Sequence, residues 1–321
     1  MRPQSKSEER TNLDITVRPL EERDLPAADY IMRLAFGTFL GLADPTMFMG
    51  DADYVRTRWA AEGTVALAAE VDGRLVGSNF VTRWGSVGFF GPLTVDPASW
   101  GSGAVHHLLR PTMEVFDSWG VRHRGLFTFG HSPKHLMLYQ GYGFAPRFLT
   151  PVLSKPVTTG DGGWVAFSSV ADPAATLAAC AALTGGIYDG LDVSGEIRAV
   201  QGQKLGDTVL VEAGGELVAF AVCHVGPGTE AGSSVCFVKF GAARSGPEAP
   251  SRFGRLLAAC EGFALGRGAS EVVAGVNTAR RGAYGSMLEQ GFRPGLIGVT
   301  MHGPDEAAYH HPDAWVIGDW R

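Results

Sequence analysis

An ordered pattern begins at Ile15-Thr16-Val17-Arg18-Pro19-Leu20, where apolar and polar positions alternate and β-branched residues recur, as in a short strand. Asp24 stands where it can cap a helix running toward Phe39. A second helical stretch passes through Tyr54 and Trp59, after the turn residues Ala43-Asp44-Pro45. Two apolar runs, 64–71 and 74–84, flank Asp72-Gly73, a pair suited to a tight turn, and this predicts an antiparallel hairpin. A third run, 86–95, ends at Asp96-Pro97, and a glycine-bearing stretch leads from it into a helical pattern over 106–119. Residues 124–130 then read as a strand, 133–140 as a short helix and 144–153 as a closing strand.

The stretch 156–164, PVTTGDGGW, loses every apolar period and reads as a linker. That divides the chain into a polar, disordered tail over 1–13, a first unit over 14–155 and a second over 165–321. The two units echo one another. Glu70-Val71-Asp72-Gly73-Arg74-Leu75-Val76-Gly77 returns as Glu212-Ala213-Gly214-Gly215-Glu216-Leu217-Val218-Ala219, and Gly143-Phe144 returns as Gly291-Phe292. The same order at nearly the same offset predicts a duplication: two α/β (α+β) units, each a mixed, mostly antiparallel sheet flanked by helices.

The chemistry concentrates in Leu93-Thr94-Val95-Asp96-Pro97-Ala98-Ser99-Trp100-Gly101-Ser102-Gly103-Ala104-Val105, where a strand gives way to a helix. The first turn of a helix has N–H groups without intrahelical partners and carries the positive end of the dipole. Glycine at 101 and 103 permits φ > 0 and leaves room for a diphosphate beside the backbone. An ordinary glycine-rich loop before a helix would look the same. Downstream, Leu138-Tyr139-Gln140-Gly141-Tyr142-Gly143-Phe144 follows a strand and a short helix.

Together the two segments, in this order of elements, resemble the GNAT superfamily of N-acetyltransferases over about residues 15–153. The resemblance implies two tandem GNAT-like domains with acetyl-CoA as cosubstrate. Backbone groups of Leu93, Thr94 and Val95 would pair with the pantetheine arm, and the N–H groups from Gly101 through Ser102, Gly103 and Ala104 to Val105 would hold the pyrophosphate. Tyr139 would lie near the sulfur as general acid, although an aromatic packed in the core fits the same position. Ser132 takes the place where the family often has Asn, and Trp100, Val105 and the helical Pro111 are further departures.

An acceptor amine with a pKa of roughly 10.4 must lose a proton before it can attack a thioester. His131, at the end of the predicted strand, is the nearest titratable candidate for that base; Glu70 is a weaker one, and water is the remaining choice. No histidine pair has the spacing and carboxylate support of a metal site, so no metal is expected. In the second unit Gly241-Ala242-Ala243-Arg244-Ser245-Gly246-Pro247-Glu248-Ala249-Pro250 replaces the cradle and Ser286-Met287 replaces Leu-Tyr, which points to a copy without catalysis.

Bulk properties narrow the partners. The 321 residues are 45% hydrophobic and 19% charged, enough apolar surface for two cores. A net charge of −6 with no lysine or arginine run argues against nucleic acid. The sequence shows neither an apolar stretch of about 20 residues nor the apolar core of a signal peptide, so no membrane partner and a cytoplasmic site are expected. Cys180, Cys223, Cys236 and Cys260 read as reduced core thiols. The expected activity is acetyl transfer to a primary amine, on a small molecule or a peptide, with a non-catalytic acyl-CoA- or metabolite-binding module as the alternative.

Overall fold

The computed structural model describes residues 14–158, 160 and 163–321; the expected tail and residues 159, 161 and 162 of the expected linker lie outside them. The first half runs β1 (Thr16–Pro19), α1 (Leu25–Leu40), α2 (Tyr54–Trp59), β2 (Thr64–Val71), β3 (Arg74–Trp84), β4 (Val87–Phe90), β5 (Thr94–Val95), α3 (Ala104–Trp119), β6 (His123–Thr128), α4 (Pro133–Gln140) and β7 (Ala145–Pro156). The second half continues with β8 (Trp164–Ala166), α5 (Pro173–Gly185), α6 (Ser194–Gln203), β9 (Gly206–Ala213), β10 (Glu216–Gly226), β11 (Gly232–Ala243), α7 (Ala249–Gly266), β12 (Glu271–Gly275), α8 (Arg281–Glu289), β13 (Arg293–Gly303) and β14 (Val316–Ile317).

Local chemistry explains the hairpins. Asp72 and Gly73 adopt φ of 51° and 75° between β2 and β3, and Gly214 and Gly215 adopt 60° and 80° between β9 and β10. Two consecutive residues with φ > 0 make the turn whose twist matches that of the strands. The third run differs from its expected form. It is broken into β4 and β5 around Gly91-Pro92, because proline has no N–H for a ladder.

The described strands form one sheet, in the order β1-β2-β3-β4-β6-β13-β7-β12-β11-β10-β9-β8, with β5 paired to β3 and β14 to β11 off this path. The closing strands are exchanged. Strand β7 of the first half pairs with β12 of the second, and β13 of the second pairs with β6 of the first, while β7 and β13 pair antiparallel with each other. Burial follows the exchange: Leu153 of β7 lies in the core beneath α7, and Val299 and Met301 of β13 lie in the core with Leu108, Phe116 and Tyr139. A further core joins Trp84, Val87 and Phe89 to Ile197, Phe220 and Phe240, so the halves share one interior.

A buried ion network reinforces the joint. The guanidinium of Arg58 on α2 donates to Glu230 at 2.9 and 3.0 Å, and Lys239 of β11 donates to the same carboxylate at 2.7 Å. Burial works against the charge on Glu230, but Arg58 and Lys239 outweigh it and hold the carboxyl well below the usual range. Close by, burial and then Lys239 push the His224 imidazole down to about 4. Burial likewise lowers His123 to about 4 and His302 to about 3, and His123 Nε2 lies 2.9 Å from His302 Nδ1 across the seam between β6 and β13.

These depressed values fix the sign of a pH effect. The unfolded chain takes up protons as pH falls below about 6.5, while the folded rings stay neutral down to about 4, so stability is full above 6.5 and lost toward 4. A ring moved from 6.5 to about 4 costs about 2 kcal/mol at pH 5. Urea midpoints should therefore drop steeply between pH 7 and pH 5; a flat profile would contradict this.

Candidate active site

Strands β4 and β6 run parallel and paired from Val87↔His123 to Phe90↔Leu126, and there their pairing ends. Strand β5 continues the first chain but pairs with β3 alone, through Gly77↔Val95 and Ser78↔Thr94. A cleft therefore opens in the sheet between Leu93, Thr94 and Val95 on one side and the residues after β6 on the other. This is the splay that an extended, amide-bearing arm can enter as if it were a strand.

At the mouth of this cleft the chain makes the predicted loop. Gly101 and Gly103 have φ of 86° and 90°, and a Cβ on either would meet nothing within 4 Å, so glycine serves conformation here and the space in front is open. Gly103 is the N-cap of α3; no side chain caps this helix and its first turn carries no acid. Its leading N–H groups at Ala104 and Val105 thus present a positive helix end to the opening, apart from a 3.3 Å contact from Ala104 N to Ser102 Oγ. Trp100 is exposed and folds back, its indole donating to the carbonyl of Val95 at 2.8 Å, and Lys134 Nζ lies 6.0 Å above its ring. A cation over Trp100, three residues before the uncapped N-cap Gly103, suits a diphosphate. Pro111 does not interrupt α3, which runs unbroken through it.

Helix α4 begins at the N-cap Ser132, whose hydroxyl accepts from His135 N at 3.4 Å. One turn beyond His135 the same helix places Tyr139 under the cleft, edge-on to Phe90 with centroids 5.7 Å apart. The Tyr139 hydroxyl has no hydrogen-bond partner among the described residues, yet it is not one of the sealed, unpartnered polar atoms. Burial raises its pKa well above the usual phenol range, so the proton is retained at neutral pH. His131 is exposed and stacks on Phe39 with centroids 5.7 Å apart. Glu70 lies on the β1–β2 edge, where Arg18 Nε donates to it at 2.9 Å.

The second half lacks such a cleft. Strands β11 and β12 pair in parallel up to Val238↔Ala274, the counterpart of β4 with β6, but beyond that point β14 takes the place of the opening. It pairs with β11 through Gly241↔Ile317 and Ala242↔Val316, and Gly318 N donates to Gly275 O at 2.8 Å on the other side. Arg280 clamps it by donating to the carbonyls of Val316 at 2.6 Å and Gly318 at 2.8 Å. A Cβ on Gly282 would come within 2.6 Å of the Trp315 ring, and one on Gly275 would collide with Asp319. Glu248 is the N-cap of α7, where α3 has Gly103.

Neither a family model nor a curated protein sequence matches the chain. Solved structures do. A proposed acetyltransferase from Pyrococcus horikoshii superposes with a TM-score of 0.68 at 14% identity, over 95% of each chain. A GCN5-related N-acetyltransferase from Sphaerobacter thermophilus gives 0.59 at 15% identity, over 90% of this chain and 95% of that one. A fungal glucosamine N-acetyltransferase region gives 0.60 at 12% identity, over 90% of this chain and 38% of the longer protein. The chain is therefore a GNAT-fold protein along most of its length.

Sequence reasoning passed over the aromatic side of the cleft. Phe39, Phe129 and His135 gather at its end, with centroids of 5.0 Å for Phe39–Phe129 and 4.9 Å for Phe39–His135. The recurrence of Phe36 and Phe39 near the end of a helix was the available signal, but it reads equally as core.

Proposed function

We propose that the first half is an N-acetyltransferase, which moves the acetyl group of acetyl-CoA to a primary amine by direct attack in a ternary complex. The observation that carries this is the open splay between β5 and the end of β6, aligned with an uncapped helix end behind two glycines of positive φ. Leu93, Thr94 and Val95 offer backbone groups to the pantetheine arm. The turn from Trp100 and Gly101 through Ser102 and Gly103 to Ala104 and Val105 holds the pyrophosphate, with Lys134 adding charge, and Ser132 fixes the start of α4.

The amine nitrogen bonds to the thioester carbonyl carbon, and the carbon–sulfur bond breaks. Tyr139 gives its proton to the departing sulfur, and His131 or a water takes the proton that the amine loses. The second half is a scaffold: its closing strand completes the sheet of the first, and β14 fills its own cleft. Calorimetric titration should accordingly give one acetyl-CoA per chain, and a second equivalent would contradict the assignment.

A second reading, a non-catalytic acyl-CoA- or metabolite-binding module, draws on the burial of Tyr139, which makes it a weaker acid than a free phenol. Thiol release measured over a panel of amines separates the two.

A further inference from the structure

An acceptor must approach the sulfur from the end of the cleft, where aromatic side chains gather. Helix α1 packs along β5, while Phe129 follows directly after β6. The contacts of Phe39 with Phe129, His131 and His135 therefore bridge the place where the two strands part.

The remaining wall comes from the other half of the chain. Strand β13 pairs with β6 as far as Val299↔Thr128, and a Cβ on Gly130 would lie 3.9 Å from the Val299 side chain. Gly298 occupies a spot where any side chain would collide with the Phe127 ring. The next residues, Ile297 and Leu296, thus emerge beside the end of β6, and they remain 48% and 37% exposed. Both are large apolar side chains left open to solvent on the exchanged strand.

Charge is as telling as its absence from the walls. The carboxylates of the segment between α1 and α2 are all engaged within the protein: Asp44 accepts from Thr46, Asp51 from Ser233 and Asp53 from the backbone of Arg56. Among the described residues, His131 and His135 are titratable groups in contact with Phe39, and Lys134 is turned to Trp100. Burial, and then Lys134 and His131, keep His135 below the ordinary histidine value, so its ring adds no charge at neutral pH.

We infer that the acceptor is a primary amine carried on an apolar or aromatic group, held in a collar that Phe39, Phe129 and His135 form with Leu296 and Ile297 of the exchanged strand. This rests on the acetyltransferase reading above. Apolar surroundings disfavour the ammonium form and so favour the free amine that attack requires. A polyamine would instead have to shed water from charges that meet no carboxylate.

Initial rates at saturating acetyl-CoA with phenethylamine, hexylamine, spermidine and lysine test the idea. Phenethylamine should exceed spermidine at least tenfold in kcat/KM. Ile297→Glu, on an exposed position that should not disturb folding, and Phe39→Ala should each raise the KM for phenethylamine at least tenfold while the Kd for acetyl-CoA stays within twofold. Preference for spermidine or lysine, or unchanged KM in both variants, overturns the collar and leaves the acetyltransferase reading standing. A protein that binds acetyl-CoA but turns over none of the amines overturns that reading and the collar with it.

Discussion

Tyr139→Phe should lower kcat by about a hundredfold while leaving acetyl-CoA binding almost unchanged. The substitution keeps the ring that packs edge-on to Phe90 and removes only the hydroxyl, which has no partner among the described residues to lose. Stability should thus hardly move, and the loss falls on chemistry. General acid catalysis is worth roughly 10²–10⁴-fold, and two features place this case at the low end. A thiolate leaves with less help than an alkoxide, since a cysteine-like thiol has a pKa of about 8.5. Burial also raises the phenol, which makes it a reluctant donor. Single-turnover thiol release, with acetyl-CoA affinity measured in parallel, checks the split between kcat and binding. A Phe variant that turns over at the wild-type rate would reduce Tyr139 to a packed aromatic.

Gly103→Glu should weaken acetyl-CoA binding at least tenfold, or about 1.4 kcal/mol. Two effects act together there. The φ of 90° resists any side chain, and a carboxylate at the N-cap of α3 places negative charge in the space proposed for the pyrophosphate. Gly103→Ala separates them, because it carries the backbone cost without the charge. Gly246→Glu, before α7 in the half whose cleft β14 fills, should do little by comparison. Calorimetry on the three variants decides; equal losses at 103 and 246 would mean that the wrong half has been assigned.

Much of the element order was legible because its signals are local. Asp72-Gly73 forms the turn its chemistry favours, and the helix over Pro133–Gln140 falls where the short apolar pattern put it; Asp24 stands at the N-cap of α1 as expected, but its carboxylate accepts from Arg18 and Glu21 N instead of capping that helix. The glycines before α3 take the positive φ that the loop needs. What stayed hidden depends on long-range choice. Strands β7 and β13 carry the same kind of alternation and follow the same Gly-Phe turn, so nothing local says which half each will close. Their exchange decides that β13, which carries Ile297, runs beside β6 of the first half. Arg58 and Glu230 likewise stand 172 positions apart, so nothing local reveals the buried site they share. The apolar run Ala314-Trp315-Val316-Ile317 carries no local sign of which half it joins, and only the sheet shows that Val316 and Ile317 fill the opening beside β11.

The claim that most needs testing is that the first half performs chemistry rather than binding alone. Release of free thiol from acetyl-CoA, followed continuously with and without each amine of a broad panel, addresses it directly. Amine-dependent release over many turnovers is expected with at least one primary amine, at a rate that falls about a hundredfold in Tyr139→Phe. Tight binding of acetyl-CoA with no amine-dependent release from any member of the panel would contradict it.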